Sequence, residues 1–324
     1  MNLRYHWERY RNLKLNRKEF RERKTHLESY PSIAYFDATN ICPLSCPLCP
    51  TGQKDGGAPR GTMTMETFKR IYDEVGPYLY ELHLYNWGEP LLNRGLVDMI
   101  RYAKKDYNPN IVISTTLSKI PREWALEVMR SGVDMISVSI DGATQETYGK
   151  YRVGGRFDEV IGTLSYISGV KKAEGLKKPR LRWQFIPMKH NEKEIEAARK
   201  RAAEIGVEFR THRVRINVSS FDNKDLSSLV AENRDWLPEN PKYIRYGKKQ
   251  QRPVCKYLWD RVVFNWDGSV APCCKIYNRA DSFAEAVRGD FMEIWNAASY
   301  VKAREIFNGK QADKGFVCQR CVDH

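Results

Sequence analysis

Apolar and polar positions alternate in two rhythms along this chain. From residue 33 onward, short runs of β-branched and aromatic residues are followed by longer stretches of helical period. IAYFDA (33–38), ELHLYN (81–86), NIVISTT (110–116), DMISVSI (134–140), LRWQFIP (181–187) and EFRTHRVRI (208–216) read as strands. Between them, METFKRIYDEVGPY after Thr64, LVDMIRYAKK, EWALEVMRSG ending at Gly132, and a region running to about residue 175 read as helices. EKEIEAARKRAAEIG follows with Asn191 as N-cap and Gly206 as stop, and DLSSLVAENRD closes the series. Six strand–helix pairs in strict alternation predict a parallel sheet with helices outside. Such a unit curls into a full or partial barrel, with its chemistry at the C-terminal ends of the strands. The residues expected there are Cys42, Gly88-Glu89-Pro90, Thr115, Thr116 and Asp141.

The flanks follow other patterns. Residues 1–30 carry nine Lys/Arg against four Glu, interspersed with aromatics and Leu, as in a basic amphipathic helix packed on the barrel. Pro238, Pro241, Gly247 and Pro253 mark a basic linker over 236–254. Beyond it, RVVFNWDGSVAPCC reads as a hairpin turning at Asp267-Gly268, and SFAEAVRGDFMEIWN and YVKAREIFNGK as helices. The expected organisation is a helical extension (1–30), an α/β barrel (31–235), the linker and a small α+β unit (255–324).

Composition narrows the class. The 324 residues include 54 Lys+Arg and 40 Asp+Glu, a net charge of +14, with 42% hydrophobic residues. That is a folded chain, and it holds no run near the ~20 apolar residues of a membrane span. The charged N-terminus lacks the apolar core of a secretory signal, so a cytoplasmic setting is expected. No recognised nucleic-acid motif accompanies the basic residues, so no nucleic-acid partner is expected.

The eight cysteines fall in two groups. Cys42, Cys46 and Cys49 lie on one turn-rich loop, CPLSCPLCPTG, directly after the first strand. Three thiolates on such a loop can hold three corners of an iron–sulfur cube and leave one iron open. A zinc ion with a distant fourth ligand is the alternative. Cys255, Cys273, Cys318 and Cys321 make a four-ligand set that can close a zinc or an iron–sulfur site, and Cys274 is left over.

With these motifs the chain resembles the radical S-adenosylmethionine (SAM) enzymes from about residue 33 to its end. The resemblance implies a partial (β/α)6 TIM-like barrel and a [4Fe–4S] cluster on Cys42, Cys46 and Cys49. The open iron of that cluster binds SAM, which is cleaved reductively to a 5′-deoxyadenosyl radical. It implies SAM contacts at Gly88, Glu89 and Pro90, at Trp87 in the place of a glycine, at Leu48 against the adenine, and at Thr115, Ser139 and Asp141. The run Cys255…Asp267-Gly268-x-Val270-x-Pro272-Cys273…Ile294-Trp295-Asn296…Cys318-x2-Cys321 is similar to the auxiliary-cluster modules called SPASM or twitch domains. It implies one auxiliary [4Fe–4S] cluster with four cysteine ligands. An external one-electron reductant such as flavodoxin or ferredoxin is implied as partner.

Substrate chemistry is less explicit. In strands five and six, Arg182, Gln184, Arg213 and Arg215 alternate with apolar residues, which predicts that they point into the barrel. Arginines there would bind a phosphate or carboxylate of the substrate, or pair with a barrel carboxylate such as Asp37. The reading that follows is oxidation of a secondary alcohol of a sugar, aminocyclitol or similar metabolite, with the auxiliary cluster accepting an electron. The alternatives are an epimerase with Cys274 as hydrogen donor, a peptide-modifying enzyme, and a non-catalytic metal-containing binding module.

Overall fold

A computed structural model describes residues 3–214, 216, 226–244, 255–286, 289–312 and 315–323. Six parallel strands carry the barrel: β1 (Ile33–Phe36), β2 (Glu81–His83), β3 (Asn110–Thr115), β4 (Met135–Ser139), β5 (Arg180–Phe185) and β6 (Glu208–Thr211). Helices α2 (Met65–Val75), α3 (Leu96–Asp106), α4 (Arg122–Arg130), α5 (Gln145–Tyr151), α6 (Phe157–Ala173) and α7 (Ile195–Ile205) fill the crossovers. Period two decides which side chains go where. Ala34, Phe36, Leu82, Leu84, Ile111, Ile113, Trp183 and Phe185 are fully buried in the core cluster that includes the helices. The opposite phase, with Tyr35, His83, Ser137, Arg182 and Gln184, faces the barrel lumen.

The strand order is β6-β5-β4-β3-β2-β1-β7-β8-β9, so the sheet does not close on itself. The C-terminal strands β7 (Arg261–Phe264), β8 (Ser269–Ala271) and β9 (Ala284–Glu285) extend this sheet instead of building another. β7 lies parallel to β1, with Tyr35 opposite Val263. The hairpin from β7 to β8 turns at Gly268, whose φ of 83° suits glycine. Short helices complete the unit: α9 (Tyr257–Asp260), α10 (Phe291–Trp295), α11 (Ala298–Phe307) and α12 (Val317–Asp323). Before the linker stands α8 (Leu226–Glu232).

Three expectations are corrected. The helix expected over 282–296 survives only as α10, because Ala284 pairs with Val270 and draws the preceding residues into the sheet. Asn191 does not cap a helix with its side chain. Its amide donates to Asp141 O and Ile186 O, both at 3.1 Å, and accepts from Met188 N at 2.7 Å, so it ties two loops together. The N-terminal helix α1 (Leu3–Arg21) does pack on the barrel, but with a polar face. Among its described side chains, Arg9, Asn12, Asn16 and Glu19 are the buried ones.

Candidate active site and cluster-binding sites

The three-cysteine loop follows β1 and is held by its own backbone. Cys49 N donates to Cys46 O at 3.1 Å and Gln53 N to Cys49 O at 2.8 Å. Gly52 packs on this turn so closely that a Cβ would stand 2.6 Å from Cys46 N. The Gly88-Glu89-Pro90 loop rides directly on the same segment. A Cβ on Gly88 would meet Thr39 O at 1.9 Å, and Glu89 N donates to Ile41 O at 2.8 Å. The two loops are therefore one rigid unit, which is what a cofactor bound between them requires.

Burial makes thiolates costly here. It raises the Cys42 thiol to about 12 and raises Cys46 as well, though the nearby Arg152 opposes the rise at Cys46. Such thiols ionise when a cationic group binds them, so the donor set fits an iron–sulfur cluster. Cys42, Cys46 and Cys49 would hold it.

Several residues expected at SAM are engaged elsewhere. Glu89 is fully buried, and its carboxylate accepts from Thr115 Oγ1 at 2.7 Å, Thr116 N at 2.6 Å and Thr116 Oγ1 at 2.8 Å. Burial outweighs these bonds and raises its pKa. Asp141, also fully buried, accepts from Arg152 Nε and from Ile186 N, each at 2.7 Å. Thr115 and Asp141 thus brace the site from behind. Ser139 lies on the lumen phase, where Gln184 Nε2 reaches its hydroxyl at 3.5 Å. Leu48 stays half-buried beside the cysteines in a small apolar cluster with Leu44, Tyr151 and Met188.

Sequence reasoning missed Arg152 and undervalued Asp37. Arg152 lies between the carboxylate of Asp141 (2.6 Å) and Cys46 Sγ (3.9 Å), a positive charge beside a cluster ligand. Asp37, at the end of β1, is buried and faces the SAM loop, accepting from Trp87 N at 3.2 Å. Burial pushes its pKa up to about 7 against the backbone N–H groups of Trp87, Gly88 and Asn86. Trp87 also crosses to the C-terminal unit, where its indole donates to Ile276 O at 2.8 Å and stands edge-on to Tyr277. The SAM loop is thereby stitched to the segment that follows Cys273 and Cys274.

The four C-terminal cysteines lie within electrostatic reach of one another. Each of Cys255, Cys273 and Cys318 feels the charge of Cys321, and burial, first, raises all three, Cys255 to about 11. This donor set also needs a cation, and four thiols fit a fully ligated cluster. Arg304 locks the surrounding helices: it is wholly buried against Trp295 and Tyr300 and donates to Leu258 O, Thr25 O and Trp295 O. Arg320 grips Asp281 through both carboxylate oxygens, at 2.8 and 2.7 Å, and fixes α12.

The lumen has two unlike walls. On the β1–β2–β7 side, Glu81, His83 and Tyr85 alternate along one strand direction. His83 Nε2 meets Glu81 Oε1 at 2.5 Å and Nδ1 meets the Tyr85 hydroxyl at 3.1 Å. The His83 hydrogen bond, first among the causes, holds Glu81 below its ordinary value. Tyr35, the strand partner of His83, stacks on the imidazole with centroids 4.1 Å apart. Arg261 lies over the Tyr257 ring, and Cys274 Sγ is 3.9 Å from the Tyr257 hydroxyl. On the β4–β5–β6 side, Arg182 stands opposite Glu208 in register and pairs with it at 3.0 Å. The expected anion-binding arginines are therefore corrected. Arg182 is spent on Glu208, not Asp37. β6 ends at Thr211, which leaves Arg213 on an exposed segment after the strand. Arg215 lies outside the described residues.

Comparisons with known proteins agree with this construction. A model of the radical SAM superfamily matches residues 37–196, and one of an iron–sulfur cluster-binding domain, SPASM, matches residues 255–322. The chain belongs to the radical SAM superfamily and carries a C-terminal SPASM domain. SAM, a [4Fe–4S] cluster and an auxiliary iron–sulfur cluster are its cofactors. Among curated relatives, an AdoMet-dependent heme synthase of Methanosarcina barkeri is 30% identical over 145 residues, 44% of this chain and 40% of that protein. A probable GTP 3′,8-cyclase of Methanococcus maripaludis is 24% identical over 57% of this chain and 66% of its own length. The chain thus spans less than two thirds of these relatives. Among solved structures, BtrN in complex with AdoMet and 2-DOIA superposes with a TM-score of 0.55 at 12% identity, over 92% of this chain and 99% of BtrN. Streptococcus suis SuiB bound to S-adenosylmethionine gives 0.65 at 13% identity, over 96% of this chain and 76% of SuiB. At these identities the structures establish the fold. No helix among the described residues is long and apolar enough to cross a membrane.

Proposed function

We propose that the protein dehydrogenates a secondary alcohol of a small polar metabolite of the sugar or aminocyclitol class. The observation that carries this reading is the Glu81–His83–Tyr85 array on the lumen wall, a buried proton acceptor where a substrate would lie. When loaded, the open cluster supplies the electron that cleaves SAM to a 5′-deoxyadenosyl radical, and the auxiliary cluster supplies a one-electron acceptor. That radical would take the hydrogen atom of the carbinol C–H bond. His83 would take the O–H proton, directly or through Tyr85, and a cluster held by Cys255, Cys273, Cys318 and Cys321 would accept the remaining electron, so that the C–OH becomes C=O. Glu81 holds the imidazole in place and balances its positive charge. The similar length and fold of BtrN, crystallised with 2-DOIA, support the substrate class. Flavodoxin or ferredoxin is the proposed reductant, and the cytoplasm the proposed setting.

A second reading is epimerisation, favoured by Cys274 beside Tyr257 at the lumen. One experiment separates the two. The reconstituted enzyme is given carbinol-deuterated cyclitols and sugars, and 5′-deoxyadenosine and products are analysed by mass. Dehydrogenation predicts deuterium in 5′-deoxyadenosine and a ketone. A product of unchanged oxidation state carrying solvent hydrogen, lost in Cys274→Ser, would establish the epimerase instead.

A further inference from the structure

The N-terminal helix α1 is built inside out, and its outer face has no part in the site described above. Its buried face is polar. Arg9 Nη2 donates to Tyr107 O, Asn12 exchanges two bonds with the Tyr30 backbone, Asn16 donates to Ser29 Oγ at 3.1 Å, and Glu19 accepts from Glu28 N, Ser29 N and Ser29 Oγ. These bonds pin the helix to segments that lead into the strands, so only one side of it is accessible. That side carries Trp7, 61% exposed, and Tyr10, 41% exposed, with ring centroids 6.1 Å apart. Lys14 stands 4.6 Å over the Tyr10 ring. Arg11, Lys14, Arg17, Lys18 and Arg21 are exposed along the same helix, and Lys18 pairs with Glu22 only at 3.9 Å.

A core-packing role does not account for two exposed aromatic rings on a helix whose polar residues are the buried ones. Tryptophan and tyrosine beside lysine and arginine are the pairing that membrane interfaces select. The ring bodies enter the headgroup region and the cations meet anionic lipids. Over its 19 residues the helix offers a straight stripe about 28 Å long. A helix pinned along its other face can lie with this stripe on a plane.

We propose that the outer face of α1 docks the enzyme peripherally on an anionic lipid bilayer. The rings insert at the N-terminal end, and the basic residues run along the surface.

The full-length protein is sedimented with vesicles of pure phosphatidylcholine and with vesicles containing about a third phosphatidylglycerol, at low and at physiological salt. Two variants are compared, Trp7→Ala/Tyr10→Ala and Arg11→Glu/Lys14→Glu/Arg17→Glu. Both alter exposed positions remote from the cysteines, so SAM cleavage stays at the parent level and reports that the fold is intact. The expected result is binding to the phosphatidylglycerol vesicles alone. Charge reversal should weaken it by about tenfold or more, and loss of the two rings by a few-fold. No binding at low salt, or binding that neither variant weakens, would overturn the proposal. So would binding that the charge variant abolishes and the aromatic variant leaves untouched, since that is the behaviour of a surface for an acidic protein.

Discussion

The two cysteine sites solve one problem in opposite ways. The first gathers three thiols on a loop of eight residues and takes its rigidity from backbone contacts with the SAM loop. The second draws four thiols from 255, 273, 318 and 321 and takes its rigidity from side chains, the wholly buried Arg304 and the Arg320–Asp281 pair. The first has Arg152 beside a ligand and an adjacent loop ready for a cofactor, whereas the second is ringed by packed aromatics. An open site must be shaped from one side only, while a closed site needs its walls from several elements. The difference suits one site to bind a cluster together with SAM and the other to enclose an auxiliary cluster.

The largest effects should come from removing the ligands. Replacing Cys42, Cys46 and Cys49 by Ala should reduce 5′-deoxyadenosine formation to background while about half of the iron remains. Replacing Cys318 and Cys321 by Ala should lower iron similarly but leave reductive SAM cleavage in place. Loss of cleavage in the second variant would erase the division of labour.

Arg152→Met tests the charge beside the first site. It strands Asp141 in a dry pocket and should cost about 3–5 kcal/mol, read from the denaturant midpoint. Gly88→Ala puts a methyl group against Thr39 O. It should cost about 1–3 kcal/mol in local packing and weaken SAM binding in calorimetry, without moving the spectrum of the auxiliary cluster.

Asp37→Asn addresses the seam between the two sites through pH. Burial raises the folded-state pKa of Asp37 from an ordinary 3.8 to about 7. Between those values the folded protein holds a proton that the unfolded chain releases, so this group makes stability fall as pH rises across the window. Asn should flatten that fall, measured as urea midpoints from pH 4 to 7, and an unchanged slope would assign it to other groups. The smallest effect belongs to Arg320→Ala, about 1 kcal/mol for a partly exposed bidentate pair, with faster iron loss from the auxiliary site alone.

Much of this was legible before any fold was known. The barrel strands follow from period-two runs, and the first site is legible because its three ligands are sequence neighbours. Glu81, His83 and Tyr85 also carried a signal, three polar groups at alternate positions of a strand, but nothing in the sequence says which face looks inward. Arg152 is different in kind: 106 residues separate it from Cys46, and only the turn after α5 brings them together. The role of Arg182 depended on register, since Glu208 stands opposite it only once β5 and β6 are aligned. Residues 282–290 have helical composition, yet Phe283 N finds a sheet carbonyl, Val270 O, at 2.7 Å, and the tertiary bond outweighs the local preference.

The most direct measurement of the central claim, one open cluster and one closed, is electron paramagnetic resonance of the reduced, reconstituted protein with and without SAM labelled in its amino and carboxylate groups. The account predicts two cluster signals, of which one shifts and couples to the label, and that signal disappears when Cys42, Cys46 and Cys49 are Ala. Coupling of the label to the cluster that survives in that variant, or to neither, would contradict it.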